Sequence, residues 1–247
     1  MNELVALTER VVRGTFRDLD LVFALVIPIA TFLGFTVALR SLIDTGGMNY
    51  AQYVLPAVII QTTLFGALTT ADRAAREQST GFGIRLRTFP IPTMLPLLAR
   101  MVYCVLRGAI ALVAAVGVAY VFGFRMTGGF GYGVGFVLVV MTLTLALSLG
   151  ADATGTRIRQ TDVSSQLLLI PQLLLVLLST GMAPVDSFPG WIQPFVRYQP
   201  VSQVAETLRG FATGDVAATN VATSLTWCLG LLVGCGAIAL RMQRRVQ

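Results

Sequence analysis

Apolar residues in this chain gather into long runs, and the polar positions between them are short and charged. Six runs approach or exceed the roughly 20 residues that a helix needs to cross a hydrocarbon core: 21–39, 53–71, 97–122, 132–151, 165–182 and 216–240. The pattern predicts an all-α polytopic membrane protein with six transmembrane helices. Pro28, Pro56 and Pro171 fall inside runs, which membrane helices tolerate because neighbouring helices re-satisfy the freed carbonyls. Residues 3–20 follow a different rule. At about 100° per residue, Leu4, Val5, Leu7, Val11, Val12, Phe16 and Leu19 share one half of a helical wheel. Glu9, Arg10, Arg13, Arg17 and Asp20 share the other, with Asp18 out of place. This predicts an amphipathic helix over 1–20 lying in the membrane interface, its arginines turned to lipid phosphates or to a protein partner. The chain then divides into that helix and a six-span domain over 21–247, with no internal repeat or soluble domain. The first residues lack the basic-then-apolar order of a cleaved signal, so the first run is expected to remain as an anchor.

Composition sharpens the picture by exclusion. Of 247 residues, 55% are hydrophobic and 12% charged, about half the charge of a soluble domain; the mean hydropathy is +0.76. A soluble enzyme is ruled out. The chain has no histidine and no lysine, all 18 basic residues being arginine. Ser–His and His–metal chemistry therefore has no parts here, and neither a Walker A phosphate loop nor a Schiff base can form. No catalytic or metal site is expected. Cys104, Cys228 and Cys235 lie within apolar runs and read as packing residues. The net charge of +6 is spread between spans rather than gathered on one face, which argues against nucleic acid.

Arginine placement sets a topology, because cytoplasmic loops collect positive charge. With the N-terminus inside, thirteen arginines fall on inner segments and four, Arg40, Arg125, Arg197 and Arg209, on outer ones. Both termini are then cytoplasmic. No Asp or Glu lies within the six runs, so a proton relay through the bilayer has no components, while sodium coupling through backbone carbonyls stays open. Arg107 is the ionisable side chain well inside a run. It either snorkels to nearby headgroups or lines a cargo entrance and receives an anionic group. Gly128, Gly129, Gly131, Gly133 and Gly135 open the fourth run and suit close helix packing.

Two loops stand out. The inner connection over 72–92 begins with good helix formers, including Asp72, Arg73, Arg76 and Glu77, with Gly81 as a stop. The outer segment over 183–215 is too long for a bare turn. Its prolines, among them Pro184, Pro189 and Pro200, forbid one long helix and predict short ones. Val201, Val204, Ala205, Leu208 and Phe211 then recur at helical spacing, with Glu206 and Arg209 on the other side. That apolar face is expected to dip into the outer leaflet, with Trp191 at the interface.

Several motifs carry a resemblance. Glu77 to Gly81 forms Glu-x-x-x-Gly, with Arg85 and Pro90 following. Residues 179–210 hold Ser-x-Gly-x-x-Pro (Ser179, Gly181, Pro184), Phe-Pro-x-Trp ending at Trp191, Gln-Pro-Val around Pro200, and Glu-x-x-Arg-Gly (Glu206, Arg209, Gly210). Over essentially its whole length the chain resembles type-2 ABC-transporter permeases, in particular the daunorubicin-resistance type (DrrB/DrrC-like). The resemblance implies a permease without an ATPase site of its own, in a bacterial cytoplasmic membrane. It implies two copies of a cytosolic ABC subunit that binds ATP and Mg, and a second permease, identical or paralogous. Asp72, Arg73, Arg76, Glu77 and Gly81 become candidate ATPase-coupling residues, as do Arg157 and Arg159 in the loop after the fourth run. The cargo class it implies is hydrophobic or amphipathic: drug, lipid or polyketide. Gln61, Thr62 and Phe65 on the second run, Arg107, and Gln166 and Gln172 on the fifth are candidate pathway residues. A six-span channel or secondary carrier would share the hydropathy and the arginine bias, but gives no reason for the 179–210 motifs.

Overall fold

The computed structural model describes residues 20–39, 49–80, 94–158 and 161–245, and these contain helices and turns but no strand. The interfacial helix expected over 1–20, with Arg10, Arg13 and Arg17, lies outside the described residues except for Asp20. Gly81, Arg85, Pro90 and Arg159 lie outside them as well.

The helices are α1 (Asp20–Leu39), α2 (Tyr50–Ser79), α3 (Leu95–Val121), α4 (Phe130–Ile158) and α5 (Thr161–Leu177). After a 3-10 turn at Val185–Ser187 come α6 (Gln193–Tyr198), α7 (Pro200–Thr213) and α8 (Ala218–Arg245). Five of these, α1, α2, α3, α4 and α8, are long and apolar enough to cross a membrane. The run at 165–182 comes out shorter: α5 has 17 residues and spans about 26 Å. Its continuation folds into a turn because Ser179 Oγ donates to the Val176 carbonyl at 2.7 Å, while the Thr180 N–H donates to Ser202 Oγ at 3.0 Å instead of to a helical carbonyl.

Helix α2 is the axis of the bundle, packing against α1, α3, α4, α5 and α7. Of its most apolar stretch 72% is buried, against 17% for α1 and 11% for α8, so those two present apolar faces outward. Asn49 caps α2, accepting from the Ala51 N–H at 3.0 Å. At its other end α2 continues beyond the apolar run through residues 72–79, whose Ala, Arg, Glu and Gln are strong helix formers. The consecutive helices run antiparallel, which brings the starts of α1 and α3 to the ends of α2 and α4. We call this the arginine-rich end.

At the opposite end, α7 corrects the expected placement. Its apolar face does not turn outward: Val201, Val204, Ala205, Leu208 and Phe211 are buried in the main core with Val54, Leu55 and Phe136. The reason is backbone proximity. Gly128 meets the α7–α8 turn so closely that a Cβ would stand 2.6 Å from the Phe211 carbonyl and 2.9 Å from the Gly214 Cα. Gly214, at φ +83°, is the left-handed residue that ends α7. The glycines at the start of α4 thus do bring elements together, at Gly128 and at Gly135, whose Cβ would touch the Phe211 ring at 3.3 Å.

Candidate functional site

Seven charged or polar side chains from four helices converge at the arginine-rich end. In the first turn of α1, Asp20 is 8% exposed. It accepts from Tyr103 Oη on α3 at 2.8 Å and pairs with Arg73 Nη2 on α2 at 3.3 Å and Arg107 Nε on α3 at 3.5 Å. Arg73 also lies over the Tyr103 ring, 4.7 Å from its centroid. Arg107 fits because α2 has a glycine opposite: a Cβ on Gly66 would come within 2.7 Å of Arg107 Nη1.

The second centre is Arg100 on α3. Its Nη1 donates to Glu77 Oε2 at 2.7 Å and its Nη2 to Asp152 Oδ2 at 3.1 Å, while Nε stands 2.7 Å from Asp152 Oδ1 off the donor axis. Asp152 is 1% exposed. Planar guanidinium geometry suits such a bridge between two carboxylates. A small cavity of about 30 Å³ lies between the two centres, bordered by Arg73, Glu77, Arg100 and Tyr103. The two ion-pair groups are therefore neighbours.

This cluster revises two sequence expectations. Acids do enter the helical bundle: Asp20 and Asp152 border the apolar runs in sequence, yet the helices extend past those runs and bury both carboxylates against arginines of adjacent helices. A buried charge must be paired, and these are. Arg107 does not snorkel to headgroups; it is 7% exposed and turned to Asp20.

The coupling candidates divide. Glu77 and Arg73 join the cluster, Asp72 is half-buried, and Arg76 is exposed on the last turns of α2. Arg157 is exposed at the end of α4. Sequence reasoning missed Asp20, Arg100, Tyr103 and Asp152. For Asp20, Arg100 and Asp152 the one local signal was a charge at or near the border of an apolar run; Tyr103 had none.

The pathway candidates do not form one surface. Thr62 and Arg107 border a cavity of about 20 Å³ with Thr144 and Ser148, room for about one water. Gln172 is buried and lines a much larger cleft of about 630 Å³ between α4, α5 and α8. Gln61, Phe65 and Gln166 line neither of these two.

The motif residues of 179–210 build the opposite end. Gly181 brings its backbone to α2, where a Cβ would meet Ala57 Cβ at 3.0 Å. Pro184 precedes the 3-10 turn, the Pro189 carbonyl accepts from the Ile192 N–H, and Pro200 opens α7. Trp191 is 82% exposed. Gln199 Nε2 donates to the Leu178 carbonyl and to Ser202 Oγ. Arg209 Nη2 donates to the carbonyls of Tyr53 at 3.2 Å and Thr180 at 3.3 Å, with its guanidinium 4.1 Å from the Tyr53 ring centroid. Burial pulls the Arg209 guanidinium below its ordinary pKa, against the opposing effects of Tyr53 and Glu206. Glu206 is half-buried one turn away.

Comparison with known proteins agrees with this architecture. Residues 34–241 match the family described as ABC-2 family transporter protein. Over 230 residues the chain is 28% identical to the probable doxorubicin resistance ABC transporter permease protein DrrC of Mycobacterium tuberculosis, covering 92% of this chain and 83% of the relative. It is 39% identical over 192 residues to the doxorubicin resistance ABC transporter permease protein DrrB of the same organism, covering 75% and 66%. It is 25% identical over 225 residues to the daunorubicin resistance ABC transporter permease protein DrrB1 of Streptomyces coeruleorubidus, covering 91% and 80%. The family match covers most of the chain, from within α1 to within α8: the chain belongs to the ABC-2 family of transporter proteins.

Proposed function

We propose that this chain is the permease subunit of an ABC exporter that moves a hydrophobic or amphipathic molecule out of the cell. ATP is hydrolysed in a separate nucleotide-binding subunit, of which two copies serve two permeases. Family membership and relatives named as drug-resistance permeases support this reading, as does the inability of a chain without lysine to form a Walker A loop. In this reading α5 also crosses the membrane, as the fifth of six spans, and the arginine-rich end faces the cytoplasm of a bacterium, in keeping with the distribution of positive charge.

The observation that carries the mechanism is the bridge Glu77–Arg100–Asp152. The end of α2 is the candidate docking surface for the ATPase, and Glu77 stands on it. A displacement of Glu77 pulls on Arg100, and through Asp152 on α4, whose end carries Arg157, the second candidate contact. Coupling of this kind requires the two transport states to differ in free energy when nucleotide binds; a helix end tied by charge to its neighbours gives such a difference a route inward.

The test is co-expression with an ATPase partner and parallel measurement of ATP hydrolysis and export. Glu77→Arg places like charges together and is expected to leave membrane insertion intact while separating hydrolysis from export. Glu77→Gln, which keeps the shape of the side chain and leaves the Arg100–Asp152 pair in place, is expected to separate them to a lesser degree. A Glu77→Arg complex that hydrolyses and exports normally removes Glu77 from this role. Export by the purified chain alone, in sealed vesicles without an ATPase, overturns the whole reading.

A further inference from the structure

The cleft between α5 and α8 shares Arg157 with the candidate coupling contacts but lies apart from the Glu77–Arg100–Asp152 bridge, and its chemistry is specific. Helices α5 and α8 both flank α4 but do not pack on each other, which leaves a gap of about 630 Å³. That volume is within the roughly 300–1,000 Å³ of small-ligand sites. Leu64, Leu147, Ala151 and Leu168 make its apolar wall. On α4 the lining runs from Leu147 to Ile158, about 16 Å at helical rise. That is half of a hydrocarbon core of about 30 Å, the depth of a single leaflet. The rims are apolar and open sideways: among the lining residues, Leu167 on α5 is 58% exposed and Ile238 on α8 is 55% exposed.

Charge sits only at one end of this cleft. Arg157 lines its mouth, and the last turns of α8 add Arg241 beside the lining residue Met242. Among the described side chains no carboxylate borders it. Asp152, on the same helix as Arg157, is turned away to Arg100, and α8 contains no acidic residue. A cleft one leaflet deep, open to the bilayer, with cations at the headgroup level, matches one class of molecule. We propose that it binds an anionic phospholipid of the surrounding membrane, one acyl chain lying along α4 and the phosphate on Arg157. Basic pockets between membrane helices hold anionic headgroups by this combination of charge and apolar contact. The inference needs the membrane setting alone and does not depend on an ATPase partner.

The experiment uses the full chain in nanodiscs of phosphatidylcholine. One set carries a trace of phosphatidic acid with a photoactivatable diazirine in its acyl chain, the other phosphatidylcholine with the same chain. After irradiation, labelled peptides are mapped by mass spectrometry. Phosphatidic acid is expected to label peptides from α4 and α8 that line the cleft about five-fold more than phosphatidylcholine, the preference given by roughly one arginine near the surface. Arg157→Gln, at an exposed position, should abolish that preference and leave residual labelling. Thr154→Trp, which fills the cleft, should remove labelling by both probes there while the outer faces of α1 and α3 remain labelled. Equal labelling by the two probes, or a preference untouched by Arg157→Gln, overturns the proposal. So does cross-linking of the cleft to a second copy of the chain or to its own residues 1–19, which would mean that protein fills it.

Discussion

The two ends of the bundle are held together by different chemistry. At the arginine-rich end, α1 to α4 meet through charged side chains: Asp20 with Arg73 and Arg107, and Arg100 with Glu77 and Asp152. At the opposite end, α2, α4, α7 and α8 meet through neutral hydrogen bonds and close backbone contact. Thr180 pairs with Ser202, the Thr207 and Ser224 hydroxyls stand 2.7 Å apart, and Gly128 abuts Gly214. Even the half-buried cation there, Arg209, donates to carbonyls. An arginine set between two acids can lean toward either as helices shift. The Ser202 hydroxyl, held by the Thr180 amide and by Gln199, offers no such alternative partner on another helix. In the proposed coupling the first end rearranges and the second stays closed, and the difference can be attacked from both sides.

The largest effect is expected from isolating Arg100. Asp152→Leu removes its most buried partner and leaves a guanidinium facing an apolar side chain. Breaking a buried pair in this way costs about 3–5 kcal/mol, read as a fall in the midpoint of thermal unfolding in detergent. The double substitution Asp152→Leu with Arg100→Leu should restore most of it, since Glu77, with 31% of its side chain exposed, is better hydrated without the pair. If the double variant is no more stable than the single, the charge pair does not hold this end.

Next in size is Gly155→Ala. A Cβ at this position of α4 would collide with the Ala71 carbonyl oxygen of α2, so the helices must separate near the cluster. Such overpacking costs about 1–3 kcal/mol. Because Asp152 is one turn away, the variant should also lower export per ATP hydrolysed in a reconstituted complex. A loss of stability without that change would confine the close approach to packing.

The sequence reads well where one helix at a time decides the outcome. Apolar periodicity located α2, α3, α4 and α8, and helix propensity carried α2 past its apolar run to Ser79. Even α7 was visible, since Val201, Val204, Ala205, Leu208 and Phe211 recur at helical spacing. Its destination was not: an apolar face suits lipid and protein equally, and only the close approach at Gly128 and Gly214 decides between them. The charged cluster was hidden for a related reason. Arg100 and Asp152 are 52 residues apart, and Tyr103 and Asp20 are 83 apart. No local spacing announces such pairs, and a charge at the edge of an apolar run reads as the end of a span even where the helix continues. The end of α5 was obscured in the same way, because Ser202, 22 residues beyond Thr180, takes the amide that would have extended it.

At the opposite end the expected effects are smaller and purely structural. Arg209→Lys gives up the planar fork that reaches two carbonyls and stacks on Tyr53, at about 1–2 kcal/mol. Ser202→Ala is the smallest test. It strips the buried Thr180 N–H of its acceptor and Gln199 of one of its two partners, and one unsatisfied buried amide costs about 1 kcal/mol or slightly more. Ser202 is fully buried, so no water replaces the hydroxyl without repacking. The expected result is a modest fall in unfolding midpoint with the coupling of hydrolysis to export unchanged. A Ser202→Ala complex that kept its stability but lost coupling would reverse the contrast drawn here, because the closed end would then be taking part in the motion.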